Sequence, residues 1–309
     1  MNVIITGGAG FIGSTILDRL LAEGHEVAVF DNLETGRREN VPAALRLIEG
    51  DVRDAAAVAR AIAGADMVVH QAAMVSVSLS VSEPDRCWDV NVAGTRHVLE
   101  AARRAGCRRV VMASSAAVYG NEPTLPKRED LPASPASPYA YSKWLNELDA
   151  RYYGEHLGLE TVCLRYFNVF GPRQRPDSPY SGVISIAADR LLGDRPFTVF
   201  GTGEQTRDFV YVDDVAGAVM AALQAENLRH EVINVARGER VTLLELLRTM
   251  GQAAGHEPAL SFAEARPGDV MHSLADVSRL DERLGYRAEV SLADGLARTL
   301  RWLRAGVPA

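Results

Sequence analysis

Residues 3–13 read Val3-Ile4-Ile5-Thr6-Gly7-Gly8-Ala9-Gly10-Phe11-Ile12-Gly13, a β-branched run that meets a cluster of glycines and then turns apolar again. Val, Ile and Thr are stiff at χ1 and pack well on a pleated surface, so the run predicts a strand. In "FIGSTILDRLLAEG" (11–24) apolar residues recur at three- and four-residue intervals, the period of an amphipathic helix. Gly7, Gly10 and Gly13 fall between the two elements. Glycine there allows a tight turn and lets the backbone approach a pyrophosphate at the positive end of the helix. The next strand, "HEVAVFD" (25–31), ends on Asp31, 18 residues after Gly13. A carboxylate so placed accepts hydrogen bonds from adenosine ribose hydroxyls and repels a 2′-phosphate. Together these elements predict a dinucleotide site favouring NAD over NADP, with Arg37 and Arg38 downstream leaving the phosphorylated form open.

The alternation continues along the chain. "MVVHQAA" (67–73) and "RRVVMASS" (108–115) are apolar strands, "HVLEAARRAG" (97–106) is a helix between them, and "LETVCLRYFNVFG" (159–171) is a further strand. Strands with no polar face, separated by helices, imply a parallel sheet covered on both sides. Beyond Gly171 the pattern loosens into loops rich in Pro, Gly and Arg. A strand and helix return in "TRDFVYVDDVAGAVMAAL" (206–223), and leucine spacing is helical in 241–255, 280–286 and 292–306. The expected fold is α/β, a Rossmann-type doubly wound parallel sheet with a smaller, discontinuous C-terminal lobe. Residues 1–168 and 206–236 are assigned to the dinucleotide-binding domain, and 169–205 and 237–309 to the substrate lobe.

The 309 residues carry 33 basic and 40 acidic side chains for a net charge of −7, with no block of one sign, which argues against nucleic acid as a main partner. No apolar stretch reaches the ~18 residues of a membrane span, and the apolar start lacks a basic leader, so neither a span nor a signal peptide is expected. Cys87, Cys107 and Cys163 are far apart with no C-x-x-C spacing, and the seven histidines form no ligand cluster. The expectation is a cytoplasmic protein without a metal.

Ser137-Pro138 is a helix start, with Ser at the N-cap and Pro at the first position. In "SPYAYSK" (137–143) Tyr139 and Lys143 then share a face while Tyr141 points elsewhere. A free phenol titrates near ~10, and a neighbouring ammonium favours the phenolate by about 1.4 kcal/mol for each pKa unit removed. Tyr139 is thus the candidate base. Standing alone, the spacing would equally describe a tyrosine packing on an amphipathic helix beside a surface lysine. "MASSAAVYG" (112–120) tips the balance, because it sets Ser114 and Ser115 just past a strand, at the carboxyl edge where open α/β sheets bind ligands.

With these motifs in order, the chain resembles the extended short-chain dehydrogenase/reductases, and among them the nucleotide-sugar 4-epimerases of the UDP-galactose epimerase type. The resemblance rests on the glycine spacing, "GDVRD" (50–54), "HQAA" (70–73), "NVAGT" (91–95), "SSAAVYG" (114–120) and Tyr139-x-x-x-Lys143. It runs on through "RYFNVFGP" (165–172), "TRDFVYVDD" (206–214) and "RPGD" (266–269). It implies an NAD site formed by Gly7, Gly10, Phe11, Ile12, Gly13, Asp31, Asn32, Asp51 and Val52, together with Ala72, Ala73, Asn91, Ser114, Tyr139, Lys143 and Tyr166. Lys143 would hold the nicotinamide ribose and lower the pKa of Tyr139, and Ser115 would hydrogen-bond the sugar 4-hydroxyl. Asn168, Arg207, Arg266 and Asp269 would hold the UDP portion, with Ser76, Arg175 and Ser273 nearer the sugar. A guanidinium fork suits a pyrophosphate, although either arginine alone reads equally as a surface residue.

Enzymes of this kind begin alike, with the tyrosinate taking the O4 proton as C4 is oxidised. The related 4,6-dehydratases add an Asp-Glu pair directly after the hydroxyl residue, and here Ala116 and Ala117 stand there. A 3,5-epimerising reductase would need a Cys-Lys-type pair, which Cys107 and Cys163 lack. The expected reaction is therefore 4-epimerisation through a transient 4-keto sugar. Ser273 stands where glucose/galactose enzymes often carry a tyrosine, which leaves room for an N-acetyl group. "RQRPD" (173–177) looks like the form in UDP-glucuronate epimerases, with Arg175 placed to read a C6 carboxylate, although those enzymes commonly carry threonine at the position of Asn168. The sequence leans to UDP-glucuronate/UDP-galacturonate, with UDP-glucose/UDP-galactose as the alternative and decarboxylation of a 4-keto uronate behind. A sensor that binds the cofactor without catalysis stays open, but such proteins usually lack the Tyr-x-x-x-Lys pair. Trp144, Leu148 and Tyr152 form an apolar stripe on a helix that pairs between subunits in the family, which implies a homodimer.

Overall fold

The computed structural model describes residues 1–174, 182–265 and 271–306. Its centre is a seven-stranded parallel sheet. In chain order the first half comprises β1 (Asn2–Thr6), α1 (Phe11–Ala22), β2 (Glu26–Asp31), β3 (Arg46–Glu49), α2 (Ala55–Ile62), β4 (Met67–His70), the short α3 (Val77–Ser82) and α4 (Pro84–Cys87), α5 (Gly94–Ala105) and β5 (Arg109–Ser115). The long α6 (Pro138–His156) and β6 (Glu160–Tyr166) follow. The second half adds β7 (Asn168–Phe170), α7 (Val183–Leu192), β8 (Phe197–Phe200), β9 (Thr206–Arg207), β10 (Phe209–Tyr211), α8 (Val212–Gln224), β11 (His230–Val235), β12 (Val241–Thr242), α9 (Leu243–Ala254), β13 (Leu260–Ala263), α10 (Ser278–Leu284) and α11 (Leu292–Arg304). Across the sheet the order is β11-β6-β5-β4-β1-β2-β3, so the chain reverses direction beside β1 and leaves a crevice at the strands' carboxyl ends.

The apolar runs explain the two covered faces. Along β1, Val3 and Ile5 pack toward Ile16, Leu17 and Leu20 of α1 and Val215 and Val219 of α8. Ile4 points the other way, toward Ile62 of α2 and Val98 and Leu99 of α5. Val68 of β4, Val110 and Met112 of β5 and Cys163 of β6 join the second face while their neighbours join the first. Each such side chain contributes about 1.5–3 kcal/mol through burial, and alternation at period two divides the strands between the layers.

The C-terminal region departs from the sequence expectation. Residues 171–205 read as loops, yet α7 and β8 form there, β8 pairing in parallel with β13. Ile184, Ala187, Ala188 and Leu191 of α7 bury against Phe197, Val199, Leu246, Leu247, Leu296 and Leu300 in a third core. These positions have helical spacing, which the neighbouring Pro, Gly and Arg residues obscure. At the base of this core lies Asp208, whose carboxylate accepts from the backbone N–H groups of Arg237 (3.0 Å), Gly238 (3.1 Å) and Ala275 (3.1 Å) and so pins three chain segments together. Burial pushes that carboxyl up to about 6. Among the described residues no helix is long and apolar enough to cross a membrane.

Candidate active site

The carboxyl ends of β1, β2, β4, β5 and β6 open into a cleft of about 960 Å³. Its floor is the glycine turn. Gly7 has φ +72°, and a Cβ on it would lie 2.6 Å from the Ala72 backbone nitrogen. A Cβ on Gly13 would lie 2.1 Å from the Gly7 carbonyl oxygen, so a side chain would close the cradle at the start of α1. Asp31 sits beside it with both oxygens engaged: Oδ2 accepts from the Ala9 N–H and Oδ1 from the Leu33 N–H, each at 2.9 Å. Burial raises its pKa while those two bonds oppose the shift. Each carboxylate oxygen keeps a second lone pair for a ribose hydroxyl. Arg37 also lines the cleft, whereas Arg38 donates to the Val41 carbonyl at 2.9 Å. Farther along the wall, Arg53 forks Asp51 (2.9 and 2.8 Å) and Asn32 donates to it at 3.0 Å, which holds Asp51 well below the usual carboxylate range.

At the opposite end, Ser137 caps α6 by accepting from the Ala140 N–H at 3.2 Å. The first turn sets Tyr139 on the cleft wall and Lys143 one turn deeper. Ser115, at the end of β5, accepts from the Ala117 N–H at 3.1 Å and shares the cleft wall with Tyr139, whose phenol pKa it lowers. Burial of the pair adds a cost to the phenolate that the spacing alone did not reveal. Lys143 donates to the Ala113 carbonyl at 2.9 Å and stands 5.9 Å from the centre of the Tyr139 ring. Burial raises the phenol above its ordinary value, Ser115 pulls it back only in part, and burial pushes the lysine down to about 8. A unit charge ~5 Å away through an effective dielectric of ~20 is worth about 3 kcal/mol, roughly two pKa units. One ammonium therefore does not bring this phenol to neutrality.

The structure gathers most of the predicted cofactor residues around one space. Phe11, Ile12, Gly10, Val52, Ala72, Ala73, Ser114 and Tyr166 all line the cleft with the residues above. Asn91 does not: it is fully buried, accepting from the Met74 N–H (2.8 Å) and donating to the Met74 carbonyl and Ser142 (3.0 Å each). Ser76 caps α3, its hydroxyl accepting from the Leu79 N–H at 3.0 Å. Asn168 donates to the Asp208 carbonyl at 3.0 Å beside β10. Arg207 donates to the Thr206 carbonyl at 2.9 Å, and Ser273 lies alongside, its N–H bonded to that same carbonyl at 3.1 Å. Arg175, Arg266 and Asp269 lie outside the described residues. Three cleft-side features escaped the sequence reading. Gln71 donates to the Tyr166 hydroxyl at 3.2 Å, Arg173 pairs with Asp18 of α1 at 2.8 Å, and Glu147 lies behind Ser114. Their partners are distant in sequence and left no spacing signal.

Residues 3–236 match the sequence model of the NAD dependent epimerase/dehydratase family. The chain is 39% identical over 311 residues to a UDP-glucose 4-epimerase of Mycolicibacterium smegmatis, covering 98% of this chain and 99% of that protein. Among solved structures it is similar to the UDP-glucose 4-epimerase of Thermus thermophilus in complex with NAD, with 41% identity, TM-score 0.91 and coverage of 99% and 100%. It is also similar to the UDP-N-acetylglucosamine 4-epimerase of Methanobrevibacter ruminantium in complex with UDP-N-acetylmuramic acid, at 36% identity, TM-score 0.94 and 99% coverage of each chain.

Proposed function

The chain belongs to the NAD-dependent epimerase/dehydratase family, and we propose that it is a UDP-sugar 4-epimerase acting on UDP-glucose and UDP-galactose. The observation that carries this reading is the Ser115–Tyr139 hydroxyl pair, set at the far end of a cleft whose other end is the glycine cradle and Asp31. The cradle fits a dinucleotide: its glycines leave open the volume that a Cβ would fill, and the N-terminal turn of α1 presents backbone N–H groups to an anion. Gly7, Gly10 and Gly13 would take the pyrophosphate, Asp31 the adenosine ribose, and Lys143 the nicotinamide ribose. When bound, NAD supplies a reversible two-electron acceptor for sugar C4 and, oxidised, a positive ring.

Tyr139 would take the proton from the sugar O4 as C4 is oxidised and return it to that same oxygen when C4 is reduced again on its opposite face. Ser115 orients the O4 and shares the proton's path. Lys143, as an ammonium, supplies one of the two positive charges that the phenolate requires. Proton transfer by such a positioned group contributes typically ~10²–10⁴-fold. The Ala116 and Ala117 pair offers no acid or base beside Ser115, which speaks against loss of water from C5 and C6. Residues 1–168 and 206–236 serve as the cofactor domain, and 169–205 and 237–309 as the lobe that holds UDP through Arg207, Arg266 and Asp269.

A second reading, epimerisation of UDP-glucuronate, is favoured by Arg175 in "RQRPD". Proton NMR of the purified protein with either sugar, without added NAD, separates the two. A galacto anomeric signal from UDP-glucose alone supports the first reading and from the uronate alone the second. A pentose signal means decarboxylation. On α6 the exposed Tyr141, Leu148 and Tyr152 support a homodimer, which light scattering checks.

A further inference from the structure

Behind the cleft wall, next to Ser114, lies a buried carboxylate that the proton path does not use. Glu147 follows Lys143 by one turn of α6, and both are about 4% exposed. Its Oε1 accepts from the Ser114 hydroxyl at 2.5 Å and from Arg165 Nε at 2.9 Å, and its Oε2 accepts from Arg165 at 2.8 Å. Arg165 in turn stacks over the Tyr119 ring, 4.7 Å from its centre, and Tyr119 donates to Asn234 at 2.7 Å. Burying an Arg–carboxylate pair costs desolvation that its attraction seldom exceeds, and apolar residues of similar volume are often as stable or better. Stability alone does not explain a charge pair here.

Its position does. We propose that Glu147 is a positioning residue for the reaction: its carboxylate keeps the buried Lys143 in the ammonium form while its bond to Ser114 fixes the strand end that presents Ser115. The inference rests on the reading of Lys143 as the lysine that supports the Tyr139 phenolate. Two anchors converge on consecutive residues of β5, Lys143 on the Ala113 carbonyl and Glu147 on the Ser114 hydroxyl. Around the ammonium stand Tyr139 and Glu147 of α6, Cys87 of α4, Cys163 of β6 and His70 of β4, with Arg165 of β6 beyond Glu147. Burial raises both thiols and keeps His70 neutral, with its pKa pushed down to about 3. Glu147 is then the anion that offsets the cost of burying the ammonium.

The sequence makes a direct test simple. Of its 33 basic residues only Lys127 and Lys143 are lysines. Protein labelled with [ε-13C]lysine and saturated with NAD therefore gives two signals, assigned with Lys143→Arg, and Lys143 can be titrated from about pH 6 to 11 with no substrate present. Glu147→Gln should lower its midpoint by at least one pH unit. Glu147→Asp, which keeps the charge and loosens the Ser114 bond, should leave the midpoint near that of the parent. Glu147→Gln/Arg165→Met, which removes the pair as a unit, should lower it by less than Glu147→Gln does. In parallel, the alkaline limb of kcat should move down with the lysine while KM holds. A parental midpoint in Glu147→Gln overturns the proposal, and if that variant does not fold, the same result in the double variant does so. Equal kcat losses in the Gln and Asp variants at every pH would also overturn it. A shifted lysine with no turnover of any UDP-sugar would instead sink the epimerase reading and leave the Glu147–Lys143 coupling standing.

Discussion

The two ends of the cleft are built differently. At the cofactor end the contacts sit in the short turns that directly follow β1, β2, β3 and β4, with backbone and side chains locked together: Gly7 against Ala72, Asp31 under Ala9 and Leu33, Asp51 in the fork of Arg53. At the other end the described candidates Asn168 and Arg207 sit on strands of three and two residues, with Ser273 on a segment beside Arg207. Regular elements hold groups to within tenths of an ångström, which proton transfer at one oxygen needs. Loops vary without disturbing the sheet, so under the proposed function selectivity among sugars is expected to reside there. The difference teaches that the reaction and the substrate are separable properties of this chain.

The largest break of that comparison is Tyr139→Phe. It should lower kcat for any accepted UDP-sugar by roughly 10²–10⁴-fold and leave bound NAD, read by absorbance after denaturation, unchanged. Next comes Gly13→Ala, whose Cβ would meet the Gly7 carbonyl at 2.1 Å. It should lose NAD binding by calorimetry, with turnover restored only at high added NAD.

Acid sharpens the comparison at the cofactor end through one histidine. His70, bonded to Thr6 (2.6 Å) and Thr95 (2.9 Å), has a folded pKa of about 3 against an ordinary 6.5. A base depressed in the folded state binds its proton only on unfolding, so its contribution is present above pH 6.5 and is lost as pH falls toward 3. Between those limits the loss is about 1.4 kcal/mol per pH unit, and His70→Gln should flatten the denaturation profile by that slope. The smallest effect is expected from Ser273→Tyr, within about threefold in kcat/KM for UDP-glucose but with a greater loss for UDP-N-acetylglucosamine, since one pocket contact is worth only about 1–3 kcal/mol.

What the sequence made legible follows the same division. Continuous apolar runs and the glycine spacing located β1, α1 and Asp31, because backbone geometry at those positions depends on local residue type. Tyr139 and Lys143 were legible because a helix converts a spacing of four into a shared face. Asn91 and Ser76 were assigned to the site, and in the fold they also bind Met74, Ser142 and Leu79. Spacing places a residue near a cleft and does not say which neighbour claims its hydrogen bonds. The Ser114–Glu147–Arg165 chain and the Gln71–Tyr166 pair join residues 18 to 95 positions apart, and α7 was masked by flanking Pro and Gly. Only the folded chain reveals such partners.

The most direct test of the account is to incubate the purified protein with UDP-[4-²H]glucose in ordinary water, without added NAD, and follow the product by proton and deuterium NMR. The account predicts UDP-galactose with deuterium retained at C4, because the atom that leaves carbon returns to the same carbon within one closed site. Product with hydrogen at C4 would mean exchange with solvent and would contradict it.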